Sequence, residues 1–287
     1  MTRNVCIALS VFACGLASAQ NSSQITGQWT IAGPVILERV SIKFFTSPNN
    51  TSESAIPLRE LRGLTQSQLG IGMSPGQSSP VQFNVVREAG TLHLEGYLQN
   101  GGGGGSFTFI PNPNFAAEMR SLGIADLSDR NAFVMAVQDV GPTYVQELNG
   151  LGVRPRSSNQ LIGMAVQHVT LAYVRDFYSL GYTNLSPENL TGMRVQGVIP
   201  DFVRELKDLG YAFVSPNEMI GMRVQGVSPE FIKDVEALGY NHPTISQLIS
   251  MRVQGVTPEY VRRTRSAGLG NLSIDQIVTL RIHGIVE

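Results

Sequence analysis

The chain has 287 residues, with 21 basic and 22 acidic side chains and a formal net charge of −1. That balance excludes the strongly basic field on which nucleic-acid binders depend. A hydrophobic share of 42% argues against extended disorder, and the length allows one to three domains with cores of their own.

Met1-Thr2-Arg3-Asn4 is a short positive start, Val5 to Leu16 is apolar or small, and Ala17-Ser18-Ala19 has the small-x-small form of a cleavage site. This order predicts a secretory signal peptide over 1–19, cleaved near Ala19, and a mature chain from near Gln20. The apolar run is too short to span a bilayer, and no later segment approaches ~20 apolar residues. An alternative makes Cys14 the lipidated residue of a lipoprotein, although Phe12 fits a lipobox poorly. Both cysteines, Cys6 and Cys14, lie inside the signal, so the mature chain is expected to hold no disulfide and no cysteine metal ligand. Without Arg3 it carries 20 basic against 22 acidic side chains.

Residues 20–110 read as a β-rich domain. Gln28 to Ala32, Val40 to Phe45 and the alternating Val81 to Val86 have strand character. Glu88-Ala89-Gly90 is a turn, and Thr91 to Leu98 is a further strand. Gly101 to Gly105 then separate it from a last strand at Ser106 to Ile110, and are expected to form a long hairpin loop. They lack the Gly-Lys-Ser/Thr and the helix that a phosphate loop requires. The Ser-, Pro-, Asn- and Gly-rich stretch from 47 to 80 reads as an irregular excursion with one helical turn at Pro57 to Leu64.

Residues 111–287 repeat. Gly-Met-Arg-Val-Gln-Gly-Val occurs at 192–198 and 221–227, and Met-Arg-Val-Gln-Gly-Val at 251–256. Met135, Met164, Met193, Met222 and Met251, followed by Leu280, are spaced 29 apart. Prolines recur at Pro113, Pro142, Pro200, Pro229 and Pro258, with Leu171 as the exception. Two places on stand Phe115, Tyr144, Tyr173, Phe202, Phe231 and Tyr260. Gly123, Gly152, Gly181, Gly210, Gly239 and Gly268 close the units, and Ser128, Ser157, Ser186, Ser215, Thr244 and Ser273 open the next.

Each unit reads as two short helices. Ser186-Pro187-Glu188 and Ser215-Pro216-Asn217-Glu218 are helix starts, with the hydroxyl as cap, proline in the first turn and Glu218 completing a capping box. Leu190, Met193 and Val195 supply an apolar side, and Gly197 ends the helix in a left-handed turn. The second helix carries Phe231, Val235 and Leu238 on one face, with Tyr240 folded back over its end. Helices of this length are marginal alone and become stable by stacking. The expected fold is therefore α+β: a small antiparallel β-domain followed by an α-solenoid of five helix pairs. A lone second helix at about 113–122 precedes the pairs, and a lone first helix at about 273–284 follows them.

Leu61-Arg62-Gly63-Leu64, the run Val85 to Thr91 continued by Glu95-Gly96, and Phe107-Thr108-Phe109 resemble an extracytoplasmic region. That region is found in some bacterial membrane proteins of the BlaR-type sensor metallopeptidase family. The Val-x-Gly-Val-(Ser/Thr)-Pro-Glu-(Phe/Tyr) units resemble the helical repeats that follow it there, and the resemblance spans about 24 to 287. It implies a free-standing extracytoplasmic accessory module. Protease activity is not carried over, because the His-Glu-x-x-His motif is missing. His93, His168, His242 and His283 are isolated, with no glutamate at the required spacing.

Arg194, Arg223, Arg252 and Arg281 follow the anchor column and form the candidate binding ladder; Arg175, Arg204, Lys233 and Arg262 make a second series. They read either as a groove for an anionic partner or as surface pairs of Asp201, Glu230 and Glu259. Gln138, Gln167, Gln196, Gln225 and Gln254 read as a ligand column or as partners of backbone groups at the inter-helix turn. Trp29 reads as a core anchor or a carbohydrate platform, and His93 as solvent-facing. No set of nucleophile, base or metal ligands is recognisable, so no catalytic residue, metal or cofactor is expected. The resulting expectation is a secreted, non-catalytic protein-interaction or scaffold module of the bacterial envelope, periplasmic or extracellular. It would have a protein partner, no nucleic acid and no transmembrane segment in the mature chain. The alternative is a ligand- or cell-wall-sensing accessory module working with a membrane partner, with a glycan or small molecule bound near Trp29 or Tyr97.

Overall fold

A computed structural model gives the architecture for residues 24–32, 36–65, 67–69 and 78–285. The signal segment, with Cys6 and Cys14, lies outside the described residues. Six strands come first: β1 (Ile25–Ile31), β2 (Arg39–Ser47), β3 (Asn50–Pro57), β4 (Ser78–Arg87), β5 (Gly90–Gln99) and β6 (Gly102–Pro111). They form one antiparallel sheet in the order β3-β2-β1-β6-β5-β4. Period-two alternation puts Trp29, Ile42, Phe44, Phe83, Leu92, Leu94, Phe107 and Phe109 on one buried face. Trp29 is fully buried and donates through Nε1 to the Glu95 carbonyl at 3.1 Å, which leaves no ring face for a sugar. His93 stands on the solvent face, Nδ1 2.6 Å from Asn84 Oδ1.

Two features differ from the sequence reading. The stretch from 47 to 80 contains a full strand, β3, paired along β2 from Ser47↔Asn50 to Arg39↔Pro57. Its Asn-Thr-Ser-Glu-Ser-Ala composition hid it. An edge strand has one neighbour, and here only Ile56 and Pro57 are buried. The expected helical turn is present in shortened form, at Leu58–Glu60. Second, Gly102 to Gly105 form the start of β6, between β5 and β1, and are not a loop. The hairpin is closed by Asn100 and Gly101 alone, both left-handed at φ 52° and 79°. A Cβ on Gly105 would sit 1.9 Å from the Glu95 carbonyl oxygen, so the glycines serve a close backbone approach.

Both sheet edges are occupied. On β3, Gln138 Nε2 donates to the Glu53 carbonyl at 2.8 Å and Arg39 Nε to that of Ala55 at 3.0 Å. On β4, Asn84 exchanges two backbone hydrogen bonds with Arg62. Side chains and a loop thus blunt the edges against further strand addition.

Twelve helices follow. A lone α1 (Phe115–Ser121) precedes the pairs α2 (Asp129–Gln138)/α3 (Pro142–Gly150), α4 (Ser158–Val166)/α5 (Leu171–Ser179) and α6 (Pro187–Val195)/α7 (Pro200–Asp208). Then come α8 (Pro216–Val224)/α9 (Pro229–Ala237), α10 (Ile245–Val253)/α11 (Pro258–Thr264) and a lone α12 (Ile274–Ile282). The hydroxyl columns cap as expected: Ser128, Ser157, Ser186, Ser215, Thr244 and Ser273 accept from the amide three residues on, and Glu218 closes a capping box. The anchor methionines Met135, Met164, Met193, Met222 and Met251 are fully buried between first helices, which stack α2·α4·α6·α8·α10·α12. The tyrosines do more than close ends. Tyr182, Tyr211 and Tyr240 donate to the carbonyls of Val214, Pro243 and Leu272, and Tyr173 to that of Val198, so each joins its unit to the next. Tyr240 therefore reaches forward instead of folding back.

Sheet and array share a core. Phe133 of α2 stacks on Phe107 at 5.3 Å and meets Phe109 and Phe44 edge-on at 5.7 and 6.3 Å. The sheet's apolar face is thus covered by the first unit of the repeat.

Candidate functional site

The four ladder arginines sit in the last turns of α6, α8, α10 and α12. Each guanidinium lies over the aromatic ring of the preceding unit's second helix. Arg194 covers Tyr173 at 5.2 Å, Arg223 covers Phe202 at 5.3 Å, Arg252 covers Phe231 at 4.5 Å and Arg281 covers Tyr260 at 5.0 Å. Arg252 Nε also donates to the Gly226 carbonyl at 2.7 Å. The expected pairing with Asp201 and Glu259 forms in the second series, whereas among the described residues none of these four arginines makes it. Asp201 and Glu259 pair within their own helices, with Arg204 and Arg262. Glu230 has its carboxyl held below the usual range by its own backbone amide, then by Ser228. Arg204 and Arg262 are thus surface pairs, and Arg175 reaches from α5 to Glu147 of α3. Each ladder arginine thus stacks on the unit before it, with Arg223 and Arg252 still exposed to solvent.

A second column runs beside it. Val195, which the sequence placed on the apolar side of its helix, is 54% exposed. It lies two residues past the buried Met193, some 200° around the helix. Val166, Val224, Val253 and Ile282 hold the same position and are 49%, 54%, 53% and 58% exposed. One turn back stand the half-buried Ile162, Ile220, Ile249 and Val278, with Thr191 in their place on α6. Together they form an aliphatic ridge along the first helices. Its first member, Val137 of α2, is fully buried, because that helix lies against the sheet. The glutamines that follow cap the first helices at Gln167, Gln196, Gln225 and Gln254, whereas Gln138 is spent on β3.

Where the first unit meets the sheet there is a cleft of about 860 Å³, lined by Arg39, Arg59, Glu60, Arg87, Glu88, Asp139, Tyr144, Ala165 and His168 among others. Its ionic groups tie sheet to array. Arg87 of β4, almost buried, bonds Glu60 and approaches Asp139 with Nε 3.3 Å from Oδ1. Glu88, in the β4–β5 turn, caps α3 from outside: Thr143 donates to it through Oγ1 at 2.6 Å and through its amide at 3.3 Å. Gly141 supplies the room, since a Cβ there would meet Glu88 Oε2 at 2.0 Å. Desolvation raises the Asp139 carboxyl above its ordinary value, against the pull of Arg87. Burial pushes the Tyr144 phenol well above the usual tyrosine range; its hydroxyl donates to the Val169 carbonyl at 2.7 Å.

The sequence reading did not find this cleft, although its signal lay in broken columns. The left-handed turn between first and second helices is glycine at Gly197, Gly226, Gly255 and Gly284, but Asp139 (φ 58°) and His168 (φ 55°) stand there in the first two units. The arginine column begins with Ala136 and Ala165, and the proline column breaks at Leu171. Among the described residues no group of three His, Cys, Asp or Glu side chains is placed to hold a metal, and no helix is long and apolar enough to cross a membrane. Comparison with models of protein families and with curated proteins finds no match.

Proposed function

We propose that the chain is a secreted, non-catalytic protein-interaction module of the bacterial envelope, with the solenoid as its binding surface. The observation that carries this is the aliphatic ridge. Single exposed valines are ordinary on a soluble protein, but an exposed aliphatic side chain at the same position of five successive first helices supports a contact surface. Within the same molecule, that helix face is where the sheet packs on α2. The signal-like order of residues 1–19 and the resemblance to an extracytoplasmic region support an envelope setting. A photo-crosslinking residue placed at Val224 of mature chain 20–287 tests the reading in envelope extract. A discrete protein adduct is expected, absent when the crosslinker replaces Lys233 on the second-helix side and lost when Val195 and Val253 become Asp. Equal labelling from both positions, or none from Val224, would overturn it.

A second reading has its own support. The junction cleft, flanked by sheet and array and lined by ionic groups, suits a ligand-sensing accessory module acting with a membrane partner.

A further inference from the structure

The repeat supplies its own reference for what belongs in the junction cleft. In the later units three residues recur together: an aromatic ring, an arginine 21 positions on that stacks over it, and a glycine in the left-handed turn. The glycine is close to the guanidinium; a Cβ on Gly197 or Gly226 would lie 3.4 Å from Nη2 of Arg223 or Arg252. In the first unit the ring is Tyr144, the turn residue is Asp139 and the arginine is replaced by Ala165. All three line the cleft. Among the described residues none of the five stacked arginines covers Tyr144. The guanidinium has been removed, and a carboxylate has been added on the atom that would touch it.

We propose that this cleft receives an arginine side chain of a protein partner, whose guanidinium lies on Tyr144 and pairs with Asp139 in the slot that Ala165 leaves empty. The source of the arginine rests on the protein-interaction reading above; the slot itself does not. Most of the neighbouring charges are already committed, and the remaining guanidinium, Arg59, is exposed and lies 3.8 Å from Glu60. Glu88 caps α3, Glu60 holds Arg87, and Arg39 is bound to the Ala55 carbonyl. Arg87 reaches Oδ1 of Asp139, and the Asp139 side chain is still 65% exposed, so its carboxylate is accessible to an incoming cation.

The test is an NMR titration of the 20–287 chain with Nα-acetyl-arginine methylamide. The citrulline analogue, of nearly the same shape but uncharged, is the control. Saturable shifts at Asp139, Tyr144 and Ala165 are expected with arginine and not with citrulline. Asp139→Gly should weaken binding about tenfold. Ala165→Arg should abolish it, because the chain's own guanidinium then fills the slot. Both variants install the residue that later units carry at the same position, so folding is not at issue. Absence of saturable shifts, equal response to citrulline, or wild-type binding by Ala165→Arg would overturn the proposal. None of these outcomes depends on whether the ridge captures a partner, so the two readings fail separately.

Discussion

Asp139 holds a left-handed backbone at φ 58°, a conformation that its later counterparts meet with glycine, and its carboxyl is raised by desolvation. Both features work against the folded state. With the carboxyl 65% exposed, its desolvation is largely screened, and relief of the backbone alone is expected to make Asp139→Gly more stable by about 0.5–1 kcal/mol, seen as a higher denaturant midpoint at unchanged slope. Asp139→Asn keeps the backbone demand and removes the charge, and its effect has a pH signature. Arg87 and Arg39 lower the carboxyl while burial, Glu60 and Glu88 raise it, and the raising influences win. The folded state thus holds this proton more tightly than the unfolded one, and ionisation weakens the fold as pH rises through the raised value. The Asn variant should be the more stable at neutral pH. Its advantage should shrink as pH falls through that value and vanish below the ordinary aspartate range. An advantage independent of pH would show that the charge is not its origin.

At the scale of elements, legibility followed how local the cause was. The helices were readable because hydroxyl caps, first-turn prolines and closing glycines act within a few residues, and because Met135 through Met251 mark one stacking position. Strand β3 was not, because an edge strand needs only one neighbour and little burial, and Ser and Glu can fill it. The glycine half of β6 was hidden for the opposite reason, while Ser106 to Ile110 read as a strand. Gly102 to Gly105 have no side chains to alternate, and their role is set by the distance to β5 and β1. Gly105→Ala tests that role, since the new methyl would sit 1.9 Å from the Glu95 carbonyl. A loss of more than about 3 kcal/mol is expected, whereas a loop residue would tolerate the change within a few tenths. The candidate site was least legible of all. Tyr144, Asp139 and Ala165 lie in three different columns, and the charges beside them belong to strands far away in sequence.

At the scale of the molecule, Phe133 joins sheet and solenoid. It belongs by sequence to the repeat and by packing to Phe44, Phe107 and Phe109. Phe133→Ala should cost about 3–5 kcal/mol, the usual range for emptying an aromatic site in a core. Trp29 is the one tryptophan and is buried in the sheet, so its fluorescence reports that half, while far-ultraviolet dichroism reports the helices. The two probes are expected to give one shared transition in the wild type and separated transitions in the variant. Coincident curves in both would mean that the halves are coupled through other contacts, such as Glu88 at the start of α3.

The even spacing of the aliphatic ridge also bears on how a partner would be located along it. Val166, Val195, Val224, Val253 and Ile282 are near-identical stations, so a binder of matching period meets several alignments of similar energy and can slip from one to another. The aberrant first unit occurs only once, beside the sheet. A binder that reads both surfaces has a ruler with a marked zero: the ridge measures distance, and the cleft fixes where counting begins.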